Sequence, residues 1–160
     1  MPVTLRLEGA DRLAGALRRS PRVVAAEQAR AMTRSLLLVE ADARRGVRQD
    51  SRQLMNSITH RMREQGDALV GEVGPSVRYG LYVERGTRPH WPPRAPLEGW
   101  ARRHGVSVFA VQRAIARKGT RARPFLEPAF RKNEPAIVRL FAAAGARITA
   151  TLATLSGGRA

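Results

Sequence analysis

The chain has 160 residues, 29 Lys+Arg against 13 Asp+Glu, no Cys and a formal net charge of +16. That length suits one domain with at most a loose arm and is too short for two full-sized ones. The absence of thiols excludes a disulfide scaffold, a thiolate zinc site and a cysteine nucleophile.

Ala supplies 25 of the hydrophobic residues, so less apolar area is available than the 43% hydrophobic content implies. A core this lean tilts toward a protein stabilised partly by neighbouring subunits. The best apolar stretch, Leu140 to Ala146, ends at Arg147. It falls short of the ~20 residues a membrane span needs. Met1 to Arg6 has no apolar signal core, so a soluble chain with no membrane partner is expected.

The charge is unevenly placed. Residues 1–80 hold 14 basic and 9 acidic side chains, and residues 81–160 hold 15 and 4. Between Arg85 and Arg123 there are ten basic residues and a single acid, Glu98. A basic surface attracts polyanions through its long-range field and through counterion release. Arg serving simply as the solubilising residue accounts for the same composition, and both readings stand.

In chain order, Val3 to Leu7 alternates as a short strand. Asp11 to Arg19 reads as a short helix. Ser20-Pro21 signals an N-cap followed by Pro in the first turn, and predicts a long helix to about Arg45. Its stripe is Val24, Gln28, Met32, Leu36, Val39 and Ala43, with Gly46 as C-cap. Arg48 to Gln53 reads as a loop. Ser57 to Arg63 and Ala68 to Val73 alternate around Gln65-Gly66-Asp67, which predicts a β-hairpin. Ile58, His60 and Met62 share one face of it; Thr59, Arg61 and Arg63 share the other.

Tyr79 to Glu84 is a short apolar stretch that fits a strand or a helical turn. Thr87 to Pro96 carries Pro89, Pro92, Pro93 and Pro96 and reads as a stiff surface loop. Leu97 to His104 and Ser107 to Lys118 read as two short helices ended by Gly105 and Gly119. Trp100 is expected in the core. Asn133 with Pro135 marks the expected start of the last helix, with Ile137, Leu140, Phe141, Ala144 and Ile148 buried. The sum is α+β: a small antiparallel β-sheet packed with a long N-terminal helix, two short central helices and a C-terminal helix. Residues 1–155 are expected as one domain and 156–160 as a frayed tail.

Catalytic chemistry is not visible. His60, His90 and His104 lack the spacing of a zinc site. There is no Gly-x-Ser-x-Gly elbow and no phosphate-binding Gly-x-x-x-x-Gly-Lys loop. The acids are scattered, most with Arg nearby. No catalytic residue, cofactor or metal site is assigned, and a non-enzymatic role is expected. Ser107 to Lys118 after Gly105 has a helix-turn-helix outline, with Gln112, Arg113 and Arg117 outward.

Three stretches come in order: Asp50-Ser51-Arg52-Gln53-Leu54-Met55-Asn56-Ser57-Ile58, then Tyr79-Gly80-Leu81-Tyr82-Val83-Glu84-Arg85-Gly86-Thr87, then Arg121-Ala122-Arg123-Pro124-Phe125-Leu126-Glu127-Pro128-Ala129-Phe130. Together they resemble the tail-completion, or head–tail joining, family of long-tailed bacteriophages. That family shows Asp-Thr-Gly-x-Leu-x-x-Ser-Ile, Tyr-x-x-Tyr-x-Glu-x-Gly-Thr and Pro-Phe-Leu-x-Pro-Ala. The resemblance covers roughly residues 20–150, and Ser51-Arg52 stands where the family has Thr-Gly. Arg88 to Pro93, with Leu97 and Trp100, resembles an insertion found in some members.

The matching positions are Leu54, Ser57, Ile58, Tyr79, Tyr82, Glu84, Gly86, Thr87, Pro124, Phe125, Leu126, Pro128 and Ala129. All read as structural, with Tyr79 and Tyr82 expected in the core. The resemblance implies a virion protein of the neck or tail, made in the host bacterial cytoplasm. It implies a ring, expected as a hexamer, at the head-proximal end of the tail. The implied partners are other copies, the tail terminator or tail-tube protein, head connector proteins and DNA in the lumen. The alternative is a non-specific DNA-binding protein. In either case the interface or DNA-facing residues are expected to be Arg88, Trp91, Arg94, Arg102, Arg103, Arg113, Arg117, Lys118, Arg121 and Arg123.

Overall fold

The computed structural model describes residues 3–6, 21–47 and 52–157. The expected helix Asp11–Arg19 and the Ser20 cap lie outside them. The order of elements is β1 (Val3–Arg6), α1 (Pro21–Gly46), α2 (Arg52–Ser57), β2 (Ile58–Gln65), β3 (Ala68–Pro75), α3 (Tyr79–Arg85), α4 (Ala95–Arg103), α5 (Val108–Lys118) and α6 (Leu126–Gly157). This is the expected α+β class. The chain forms two compact units: residues 1–76 with 125–160, and residues 77–124.

In the first unit the sheet has three strands in the order β1-β3-β2, antiparallel throughout. The β2–β3 hairpin turns on Gly66-Asp67, with Gly66 at φ 58°. A glycine with positive φ at the first of two loop positions suits the strand twist of a tight hairpin. The hairpin faces follow the alternation. His60 lies opposite Val73, and Arg61 lies opposite Glu72.

α1 packs on the sheet face that carries Gly71 and Val73. The absent side chain of Gly71 makes the contact close. A Cβ there would lie 2.6 Å from Met32 Sδ and 2.8 Å from Leu36 Cδ2. Met32, Leu36, Val39 and Ala43 are buried as their spacing predicts, with Ala31 and Ser35 beside them. The Ser35 hydroxyl donates to the Ala31 carbonyl at 2.8 Å, which satisfies it inside the core. Arg44 ties α1 to β2 by donating to the Ile58 carbonyl at 2.7 Å and pairing with Glu40 at 2.6 Å. His60 hydrogen-bonds the other Glu40 oxygen.

α6 runs alongside α1, joined to it near both ends. Arg147 donates to Glu27 at 2.6 Å, and Asn133 donates to Asp42 at 2.6 Å with Lys132 at 3.2 Å. Residues 27 and 42 are fifteen apart, and so are 147 and 132, so the helices are antiparallel. The two joints stand about 22 Å apart at ~1.5 Å per residue. Between them Ile137 and Ala144 of α6 are buried, with Ile148 buried just beyond Arg147.

Two expectations about backbone change here. The last helix begins at Leu126 rather than at Asn133, and Pro135 lies inside it. Pro128 falls in the first turn, where no intrahelical N–H partner is needed. Pro135 removes the donor for the carbonyl four residues earlier, at the exposed Arg131. The helix continues because Asn133 is buried and donates both to the Ala129 carbonyl, at 2.8 Å, and to Asp42. Secondly, Arg52–Ser57 is a short helix where a loop was expected to run to Gln53. Among the described residues no side-chain-bearing residue has positive φ, so Arg52 in the family's Gly position is unstrained.

α6 also qualifies an expectation about membranes. Over Leu126–Leu152 it is long and apolar enough, by length and composition, to cross one. Its Ala-rich turns raise the average although Arg139 and Arg147 interrupt every apolar run. α6 uses Asn133 and Arg147 in polar bonds to α1.

The polar joints predict a response to acid. Hydrogen bonds from Arg45 and then Asn133 hold the Asp42 carboxyl down at about 2, against the opposing effect of burial. A carboxylate depressed on folding contributes stability that is present above its unfolded value and lost as pH falls through the folded one. For Asp42 that window runs from about pH 5 to about pH 2. Glu27, lowered chiefly by Arg147, and Glu72, lowered chiefly by Arg61, act in the same direction. Asp42→Ala is therefore expected to lower the melting temperature at pH 7 and to flatten its decline below pH 5, as read by circular-dichroism melts across pH.

Candidate functional site

The motif residues divide by unit. Leu54, Ile58, Phe125, Leu126 and Ala129 are buried in the first unit. The Ser57 hydroxyl donates to the Leu54 carbonyl at 2.8 Å, and the Ser57 carbonyl accepts from Ser76 N at 2.9 Å, where the hairpin closes. Phe125 lies against the end of α1. A Cβ on Gly46 would touch the Phe125 Cβ at 3.5 Å. Pro124 and Pro128 flank Phe125 and Leu126 on the exposed side. These residues build the scaffold and present no chemistry.

In the second unit, the Gly86-Thr87 pair of the motif forms one half of a clasp. Thr87 N donates to the Thr120 carbonyl at 3.0 Å, and Thr120 N donates back at 3.2 Å. The two hydroxyls lie 3.0 Å apart, and Thr120 N also reaches Thr87 Oγ1 at 3.1 Å. Gly119-Thr120 is thus the partner of Gly86-Thr87. Both glycines have positive φ, 70° at Gly86 and 68° at Gly119. Added Cβ atoms would meet backbone at 2.4 Å from the Thr120 oxygen and 2.0 Å from the Thr87 oxygen. Arg123 N, donating to the Val83 carbonyl at 2.8 Å, continues the closure. Glu84 is half-buried on the same stretch. The repeated Gly-Thr dipeptide was the sequence signal for this pairing, but sequence reasoning did not connect the two.

The clasp closes the segment that holds the charge. Every residue expected at an interface is exposed: Arg88, Trp91, Arg94, Arg102, Arg103, Arg113, Arg117, Lys118, Arg121 and Arg123. α5 begins with the predicted cap, the Ser107 hydroxyl accepting from Ala110 N at 3.1 Å. Phe109, Ala110, Arg113, Ala114, Arg117 and Lys118 line a shallow open groove along it. Trp91 meets Phe109 edge to face, with ring centroids 6.0 Å apart. Phe109, which the sequence reading passed over, is 60% exposed and Trp91 is 57% exposed.

Several expectations are corrected on this unit. Tyr79 and Tyr82 are exposed rather than core. Trp100 is exposed too, and stacks on His104 at 4.2 Å. Alternative cover is scarce because Ala101 is the one hydrophobic side chain of α4 that is fully buried. Gln112 points inward rather than outward. It is buried and donates to the Pro92 carbonyl at 2.9 Å, anchoring the proline loop at its middle. That burial removes it from the outward face of a helix-turn-helix reading. His90 and His104 each use Nδ1 locally, donating to the Arg88 and Trp100 carbonyls.

Comparison with known proteins gives one match. Residues 11–86 fit the family model described as "Bacteriophage HK97-gp10, putative tail-component". The resemblance seen in the motifs therefore holds over this stretch, from before α1 to the Gly86 of the clasp. It supports a structural role in the phage tail, and with it a place in the virion. No curated protein matches the chain, and no solved structure does.

The clasp yields a prediction. Gly119→Ala should destabilise the second unit, since positive φ with a side chain alone costs ~1–3 kcal/mol. Amide exchange at Thr87, Thr120 and Arg123 should accelerate in the variant, as read by hydrogen–deuterium exchange, while α1 and β3 keep their protection.

Proposed function

We propose that this protein is a structural component of the phage tail that assembles as a ring, of six copies on the family's pattern, at the head-proximal end and joins tail to head. The match of residues 11–86 to the tail-component family carries the reading. Two features support it. Leu54, Ile58, Phe125, Leu126 and Ala129 of the motifs are buried in the scaffold, and a tail-component family favours a non-enzymatic role. The exposed Leu37, Leu38 and Val138 also leave apolar helix surface for neighbouring subunits. On this reading the protein is made in the host cytoplasm. It contacts other copies of itself, the tail terminator or tail-tube protein on one side and connector proteins on the other, with DNA passing through the lumen.

Deleting the gene from its parent phage or prophage tests the reading. Electron microscopy should show DNA-filled heads separate from tails, and infectious titre should return when the gene is supplied in trans. Joined, infectious particles formed without the protein would overturn it.

A further inference from the structure

The two units treat charge differently. In the first, the buried acids Glu27, Glu40 and Glu72 and the half-buried Asp42 each hold at least one Arg. Several of its cations, Arg44, Arg45, Arg61, Arg63 and Arg147 among them, are paired within the fold. The second unit, residues 77–124, carries eleven Arg and Lys against Glu84 and Glu98. Arg113, Arg117 and Lys118 are exposed on one helix, and among the described residues none of the three has a carboxylate partner. Holding like charges on successive turns of α5 is unfavourable unless an anion arrives.

The same groove carries flat apolar surface. Phe109 lies one turn before Arg113, and Trp91 stands edge-on to it. Exposed rings of this size contribute little to folding. Their pairing with guanidinium groups is the combination that holds nucleic acid. Arg takes phosphate oxygens in a planar fork, and an exposed ring offers its face to any unpaired base. An acidic polypeptide would use the charge and leave the rings without a flat partner.

We propose that the α5 groove of the second unit binds the phosphodiester backbone of nucleic acid through Arg113, Arg117 and Lys118, with Trp91 and Phe109 stacking on unpaired bases. The site lies on residues beyond the family match and does not depend on ring formation. Its failure would leave the tail reading standing, and loss of the tail reading would leave the site.

Fluorescence anisotropy with the full chain tests it, using a labelled single strand and a duplex of equal length over a series of salt concentrations. Binding at low salt should weaken steeply as salt rises. The triple variant Arg113→Gln, Arg117→Gln, Lys118→Gln should bind at least about tenfold more weakly, with a log–log salt slope shallower by about 2 to 3. A control triple in the first unit, Arg22→Gln, Arg34→Gln, Arg139→Gln, removes the same charge and should stay within about twofold of the parent chain. The double variant Trp91→Ala, Phe109→Ala should lose about tenfold on the single strand and little on the duplex. Thermal melts confirm folding. If the groove triple does not fold, Arg113→Gln alone should reduce the slope by about 1.

The proposal is overturned by absence of binding at low salt, or by equal loss in the two triple variants. Poly-glutamate binding as tightly as the strands would reassign the groove to an acidic protein. An unchanged single-strand affinity in the Trp91, Phe109 variant would remove the stacking role.

Discussion

The antiparallel pairing of α1 with α6 is the constraint on which the first unit depends. These helices lie at opposite ends of the sequence, so their contact imposes a large loop-closure cost before it returns any burial. The core between them is lean in large side chains. The ion pairs at each end set the register. A slip of one helical turn would separate Glu27 from Arg147 and Asp42 from Asn133 together, leaving polar groups in a partly buried seam. Gly71 then lets α1 settle onto the centre of the sheet, where any larger residue would hold it away.

The second unit has a different kind of closure. It has few buried apolar side chains, with Ala101 the fully buried one among its hydrophobics. Backbone and hydroxyl hydrogen bonds between Thr87 and Thr120 do much of the work that a core does elsewhere. Two glycines at positive φ make that approach possible. A unit closed by hydrogen bonds at its neck needs little interior, so its Arg and aromatic side chains are left on the surface. The second unit carries eleven Arg and Lys against two acids, so its share of the positive charge is the denser one.

Much of this was legible in the residues. The α1 stripe from Met32 to Ala43, the hairpin on Gly66-Asp67 and the Ser107 cap all follow from local rules of periodicity, turn chemistry and capping. The family motifs, Gly86-Thr87 among them, pointed to a phage tail. What misled was also local. Asn133 and Pro135 carry a helix-start signature, yet Asn133 is buried against Asp42, ninety-one residues away. Trp100 and Gln112 exchanged their expected places, because a ring beside His104 can lie on the surface while a short amide reaches the Pro92 carbonyl inside.

By itself the sequence determined the fold class, the element order along most of the chain, the resemblance to a phage tail component and the location of the excess positive charge. These depend on composition and on neighbours a few residues apart. The tertiary structure alone decided which charges are neutralised and which are left open. It joined Gly86-Thr87 to Gly119-Thr120, and it brought Trp91 beside Phe109 at the mouth of the basic groove. Those outcomes depend on pairings between distant segments, each needing a specific register or backbone approach that no local pattern encodes.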